Sequence, residues 1–292
     1  MNVARSPADL ATRPRAVAIG TFDGVHLGHR AVVRAAVDSA RSGGLIPTVV
    51  TFHPHPRTVL GNRVELLSTL ERRLELLAAA GIEDVLVVEF SPEIAGLEPE
   101  RFARQYLLAI GAQVVVAGVG FRFGKQRAGD LEFLRGLGLD VRQVPLVEGV
   151  SSTRIRQLAH AGEIESAARL LGRPIEVEGT VVSGDQRGGT LGFPTANLAV
   201  DAEVLVPGFG IYAGAAGARR AAISIGVNPH YGGTERRVEA YLLDWTGDLY
   251  GDRIVLELWR RLRDERAFGS EAELVDQIAR DVQQTRAAER PV

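Results

Sequence analysis

Cysteine is absent from the chain, which removes disulfide frameworks, thiolate zinc sites and thiol nucleophiles together. Lysine occurs once, at Lys125, so nearly all positive charge is arginine; the abundance of alanine and glycine points to genomic base composition as the cause. No run approaches the ~18 apolar residues of a membrane span, and the opening stretch MNVARSPADLATRPR has no apolar core segment. A formal net charge of −2 gives no strong pull toward nucleic acid or an anionic membrane. Hydrophobic residues at 46% against 24% charged are the balance of a globular chain, and 292 residues suffice for one large domain or two medium ones. The expectation is a cytoplasmic protein with neither a nucleic-acid nor a membrane partner, with homo-oligomerisation left open.

What is present falls into two halves of different grammar. In the first, valine- and isoleucine-rich runs at 16–19, 46–52, 84–90, 113–117 and 140–147 alternate with helical stretches at 29–40, 69–80, 99–110 and 130–137. Such runs show little polar alternation, as expected of parallel strands buried on both faces. Leu70, Leu74 and Leu77, with Arg72, Arg73 and Glu75 interleaved, have the helical period. Alternating β and α units of this length predict a doubly wound α/β sheet with right-handed crossovers. The second half has β-rich runs at 175–182, 221–227, 238–243 and 254–259 separated by glycine-rich turns, which predicts an antiparallel barrel or sandwich. Val238, Ala240 and Leu242 alternate with Glu239 and Tyr241, so Glu239 faces away from one apolar surface. A final helix carries a capping-box pattern at Ser270 and Glu273 and an apolar face of Leu274, Val275, Ile278 and Val282. The grammar changes at Gly172-Arg173-Pro174, predicting domains over 1–171 and 172–292.

The stretch GTFDGVHLGH, residues 20–29, follows the first strand and precedes the first helix, where ligands dock on an open α/β sheet. His26 and His29 are two metal-ligand types at i, i+3, but no third ligand and no HExxH accompanies them. Gly24 and Gly28 permit close backbone approach, and amides at a helix N-terminus favour phosphate. Two imidazoles there can donate to the charge that develops on phosphate during nucleotidyl transfer. The second half has no GxxxxGK[ST], HRD or DFG, so P-loop and protein-kinase mechanisms are not indicated. It has instead the glycine-rich GDQRGG (184–189) and LGFPTAN (191–197). Amides of such a loop can cradle phosphates, and Thr195 with Asn197 offers hard oxygens suited to magnesium.

HLGH after the first strand of an α/β sheet resembles the nucleotidyltransferase superfamily. The ordered set of Gly20-Thr21-Phe22-Asp23-Gly24 with HLGH, TFHPHP (51–56), FRFG (121–124) and SSTRIR (151–156) is narrower. It resembles the adenylyltransferase module of bacterial bifunctional riboflavin kinase/FAD synthetases, and GFPTAN (192–197) resembles that family's kinase module. The match spans nearly the whole chain. It implies a Rossmann-like nucleotidyltransferase domain followed by a riboflavin kinase barrel, with ATP-dependent phosphorylation of riboflavin to FMN and then adenylylation of FMN to FAD.

By that resemblance, His26 and His29 stabilise the transition state at the α-phosphate, and Glu239 is the base that accepts the ribityl proton. ATP and its phosphates fall to Gly20, Thr21, Phe22, Gly28, Ser152, Thr153, Arg156, Gly184, Arg187, Gly188 and Gly192. Flavin falls to Phe52, Pro54, His55, Pro56, Phe121, Phe123, Arg263, Glu265 and Phe268, and Mg2+ to Thr195 and Asn197. Partners are then the small molecules riboflavin, FMN and ATP. Two departures stand out: Gly120 replaces the family's usual Asp or Asn before FRFG, and Asn228-Pro229-His230-Tyr231 replaces Pro-Thr-Phe. The first motivates a rival reading as a monofunctional riboflavin kinase. A second rival is an inert flavin-binding or regulatory protein.

Overall fold

The computed structural model describes residues 1–184, 191–227 and 236–292. By contacts the chain divides into two compact units, one of Met1–Val64 with Leu70–Val150, the other of Glu65–Thr69 with Ser151–Val292.

The first unit is built on six parallel strands: β1 (Asn2–Ala4), β2 (Arg15–Ile19), β3 (Ile46–His53), β4 (Asp84–Glu89), β5 (Ala112–Gly118) and β6 (Asp140–Val144). Their order across the sheet is β1-β4-β3-β2-β5-β6. The helices are α1 (Leu27–Gly43), α2 (Pro56–Val59), α3 (Leu70–Ala79), α4 (Pro92–Ala95), α5 (Pro99–Tyr106) and α6 (Leu131–Gly136). Alternate residues of the central strands enter different cores. Ala16, Ala18, Val49, Val85 and Val116 pack with Val33 and Ala36 of α1 and Leu77 of α3. Val17, Ile19, Val50, Leu86 and Val115 pack with Phe102 of α5 and Leu134 of α6. Both faces are therefore covered, which is why these strands read as unbroken apolar runs. The strand order reverses between β2 and β5, and open sheets of this kind bind ligands beyond the strand ends at such a point.

The second unit is a closed barrel of β7 (Ile175–Val182), β8 (Ala196–Val200), β9 (Gly210–Ala216), β10 (Arg219–Val227), β11 (Arg236–Leu242) and β12 (Arg253–Arg263), in the order β10-β11-β8-β7-β12-β9. All its strand pairs are antiparallel. Helices α7 (Ser152–His160) and α8 (Ile164–Leu171) share the barrel's core through Ile155, Leu158, Ile164 and Leu171. Gly172 ends α8 in the left-handed conformation, φ 76°. The local pattern thus changes at Gly172, whereas packing divides the chain at Val150/Ser151.

The last helix, α9 (Glu271–Ala287), starts with Ser270 Oγ accepting from the Glu273 amide at 3.2 Å. The Glu273 carboxylate accepts from the Gly269 amide at 3.1 Å, one residue short of the partner a capping box requires. Of the expected apolar face, Leu274, Val275 and Ile278 are half-buried and Val282 is buried. Gln277, Asp281 and Thr285 are buried with Val282, because Arg263 forks onto both oxygens of Asp281, at 2.7 and 3.1 Å, and Arg266 reaches Gln277. A polar network thus docks this helix alongside its apolar face.

Candidate active sites

At the end of β2 the chain turns tightly. Thr51 Oγ1 donates to the Thr21 carbonyl at 3.0 Å and the Gly20 amide to the Val50 carbonyl at 3.1 Å, which fixes the loop to β3. Phe22 (φ 50°), Gly24 (φ 72°) and Val25 (φ 41°) all have positive φ. That conformation is costly for a β-branched valine and persists only where the surrounding structure holds it. A Cβ on Gly20 would lie 3.3 Å from the Phe22 ring, and one on Gly28 only 3.2 Å from the His26 ring.

His26 is the N-cap of α1, its Nδ1 accepting from the His29 amide at 3.2 Å. That acceptor role places the ring proton on Nε2 and leaves Nε2–H as the donor. The His29 ring stacks on His26 with centroids 3.6 Å apart and meets the edge of Phe22 at 5.4 Å. His29 is held well below the usual imidazole range, first by burial, then by the charges of His26 and Arg73. Two imidazolium rings at this spacing would repel, so the resting pair contains a neutral His29. Its Nδ1 is buried without a hydrogen-bond partner among the described residues.

Among the residues expected to hold flavin, the structure draws a division. His55 caps α2 through Nδ1, which accepts from the Arg57 amide at 3.1 Å; Pro56 opens that helix, and the His53–Pro54 peptide is cis. Phe121 is half-buried and lies parallel to Phe123 at 5.8 Å. Phe52 and Phe123, by contrast, are core residues, Phe52 against Phe90 and Phe102, Phe123 against Phe102 and Phe133. Gly120 has φ 77° and nothing near its absent Cβ. This is a left-handed position that glycine, asparagine and aspartate tolerate best, so the departure from the family pattern keeps the backbone and deletes only the polar group. Ser151, not Ser152 or Thr153, caps α7, accepting from the Arg154 amide at 3.2 Å, while Arg156 Nε donates to the Glu65 carbonyl at 2.5 Å.

The second constellation lies on the barrel. Glu239 stands directly opposite Asn197 of β8 and Ser224 of β10. Directly paired residues present their side chains on one face, so these three share a face while Val238, Ala240 and Leu242 point into the core. Thr195 Oγ1 donates to Glu239 Oε2 at 3.4 Å, and Arg237 lies 3.9 Å from the same carboxylate. Gly184 is packed so closely on Asn197 that a Cβ would fall 2.2 Å from its amide nitrogen. Glu265 rests on Gly226, where any side chain would displace it. Its carboxyl is pushed up mainly by burial; Arg263 opposes this and Glu239 adds to it. Thr195, Asn197, Glu239, Gly184 and Glu265 thus gather at one end of the barrel wall. Gly192 takes a left-handed turn, φ 84°, beside them in sequence. Arg263 is committed to Asp281, and Phe268 lies against the Arg263 and Arg266 guanidinium groups at 5.8 and 4.9 Å. Arg187, Gly188 and His230 lie outside the described residues.

Sequence reasoning missed Ser224, legible only through its register with Glu239, and Asp23 and Arg73, both 1% exposed. In the sequence Arg73 is one of the polar residues interleaved with Leu70, Leu74 and Leu77. It is buried nonetheless, and its place four residues before Leu77 was the available signal.

A family model described as FAD synthetase matches residues 9–156, and one described as riboflavin kinase matches residues 171–289. In that order they make the chain a two-module flavin transferase. Curated bifunctional riboflavin kinase/FMN adenylyltransferases are similar along almost their whole length. The protein of Listeria monocytogenes is 36% identical, covering 94% of this chain and 92% of that one. That of Escherichia coli K12 is 34% identical, covering 96% of each. A solved structure described as a macrolide-efflux protein from Streptococcus pneumoniae has a TM-score of 0.87 at 33% identity, covering 97% of this chain and 98% of that one. Among the described residues here, no helix is long and apolar enough to cross a membrane. The chain belongs to the bifunctional riboflavin kinase/FMN adenylyltransferase family. It is a transferase that phosphorylates riboflavin to FMN and adenylylates FMN to FAD.

Proposed function

We propose that the two reactions are carried by the two constellations separately. In the barrel, Glu239 accepts the proton of the ribityl hydroxyl as its oxygen attacks the γ-phosphorus of ATP, and ADP leaves. Support comes from the shared face of Glu239, Asn197 and Ser224 and from the Thr195 contact. Thr195 Oγ1 and the Asn197 amide oxygen are hard donors beside a carboxylate, the set a magnesium ion accepts together with substrate phosphates. Bound there, Mg2+ would neutralise charge on the transferring phosphoryl group. The Gly184 contact keeps the Asn197 amide in place.

In the parallel-sheet unit, a phosphate oxygen of FMN attacks the α-phosphorus of the second ATP and pyrophosphate leaves. His26 donates through Nε2–H, and neutral His29 stacks behind it, both beside amides at the start of a 17-residue helix. Donors already oriented toward developing charge lower the barrier without reorganising. The observation that carries this reading is the His26–His29 stack at the reversal of strand order. Ser152, Thr153 and Arg156 are assigned to ATP by motif alone, and Phe121, Pro54, His55 and Pro56 to flavin likewise. Asn197→Ala tests the metal assignment. The Mg2+ concentration giving half-maximal FMN formation is expected to rise at least ~10-fold, the scale of weakening when a metal site loses support. An unchanged Mg2+ requirement would remove Asn197 from the metal site.

A further inference from the structure

Arg73 is out of place by the logic of its own helix. It shares the inward stripe of α3 with Leu70 and Leu77, and it is 1% exposed. A buried guanidinium normally spends its donors on carboxylates or carbonyls. Here Nη1 donates to the Phe52 carbonyl at 3.1 Å, while Nε and Nη2 have no hydrogen-bond partner among the described residues. Helix α3 packs against the turn Asp23–Val25 that precedes His26. The charge of Asp23 acts on Arg73, and that of Arg73 on His29. Beneath the phosphate-facing loop therefore lies one desolvated cation whose donors are not fully used.

We propose that Arg73 is a positioning residue for adenylyl transfer, supplying the fixed positive charge of that site from behind the His26–His29 pair without touching substrate. The proposal rests on the assignment of those histidines to ATP. In a low-dielectric interior a charge acts beyond contact distance, so Arg73 draws polyphosphate toward the loop. Burial first and the His26 charge second keep His29 neutral, and the Arg73 charge adds to them, so His29 remains an oriented donor. Burial dominates this balance and three groups adjust it: His26 at the start of α1, Arg73 on α3, and Asp23 in the turn, which offsets the lowering that burial imposes on Arg73. Unlike an imidazolium, a guanidinium keeps its charge across the working pH range, so the attraction does not fade as pH rises.

The test compares wild type, Arg73→Lys and Arg73→Met in the full chain. Histidine titration is followed by NMR without substrate, and the KM for ATP in FMN adenylylation is measured with riboflavin kinase activity as the internal control. Wild type and Arg73→Lys are expected to hold His29 neutral well below the ordinary imidazole range. In Arg73→Met the His29 titration moves up toward that range and KM for ATP rises about 10-fold, the low end of electrostatic focusing, with kinase activity unchanged. A residue that only braces the fold would not move the titration in this charge-dependent way. Ordinary titration of His29 in wild type, loss of the low titration in Arg73→Lys, or a folded Arg73→Met that leaves titration and KM unchanged would each overturn the proposal. Should Arg73→Met not fold, the first two measurements still decide. These titrations need no turnover, so their failure is separate from failure of the histidine assignment, which His29→Ala addresses.

Discussion

Glu239→Gln is expected to lower FMN formation from riboflavin by about 10²–10⁴-fold, the usual contribution of a positioned general base. FMN supplied directly should still be converted to FAD at the wild-type rate. Glutamine keeps the shape of the side chain and can still accept from Thr195 Oγ1, now at 3.4 Å from Glu239 Oε2, so loss of structure is not the expected cause. Glu239 is half-buried and its alternating neighbours Val238 and Ala240 hold the strand in the core. The check is a product assay with riboflavin or FMN as the starting flavin. Loss of both activities would mean that the reactions are not divided between the two constellations.

His29→Ala is the mirror experiment. FAD formation from FMN should fall about 10²–10³-fold, the cost of deleting one preorganised donor to transition-state charge, while riboflavin phosphorylation is spared. The substitution removes the ring stacked on His26 but leaves the His29 amide that the His26 Nδ1 caps. The cap of α1 therefore survives, and the expected loss is in kcat for adenylyl transfer. Unchanged FAD output would take His29 out of the mechanism.

Much of this was legible in the residues. Strands β2 to β5 and the helices between them fall close to the stretches the apolar runs marked, because a parallel sheet covered on both faces leaves an unbroken apolar imprint. The barrel was half legible. Strands β8 and β9 carry alanine and glycine where β-branched residues would have signalled a strand. Their reason for forming is tertiary: a Cβ on Gly214 would fall 1.9 Å from the Glu257 carbonyl of β12, so only glycine lets that seam of the barrel close. The three-residue β1 is too short to leave a pattern. The switch at Gly172 is real as a helix end, yet α7 and α8 pack with the barrel, a fact of long-range burial that no local pattern contains.

The site residues divide in the same way. Motif positions with small or polar neighbours, such as His26, His29, Thr195, Asn197 and Glu239, do come together within their own units. Motif aromatics are less informative, since Phe52 and Phe123 sit in the core and Phe121 alone of the three is only half-buried. Arg263 matches the family string yet is paired with Asp281 to dock the final helix. Gly120 needs no special account of its backbone, because its left-handed conformation suits glycine as well as a short polar residue. What the glycine removes is one hydrogen-bonding group beside the switch point, not the loop that frames it.

One chain carries out both steps, and we propose that each step has its own machinery. The most direct measurement incubates the protein with riboflavin, ATP and Mg2+ and separates the flavins over time. FMN is expected to appear first, with FAD accumulating at its expense. FMN as the sole product, with added FMN also left unconverted, would contradict it.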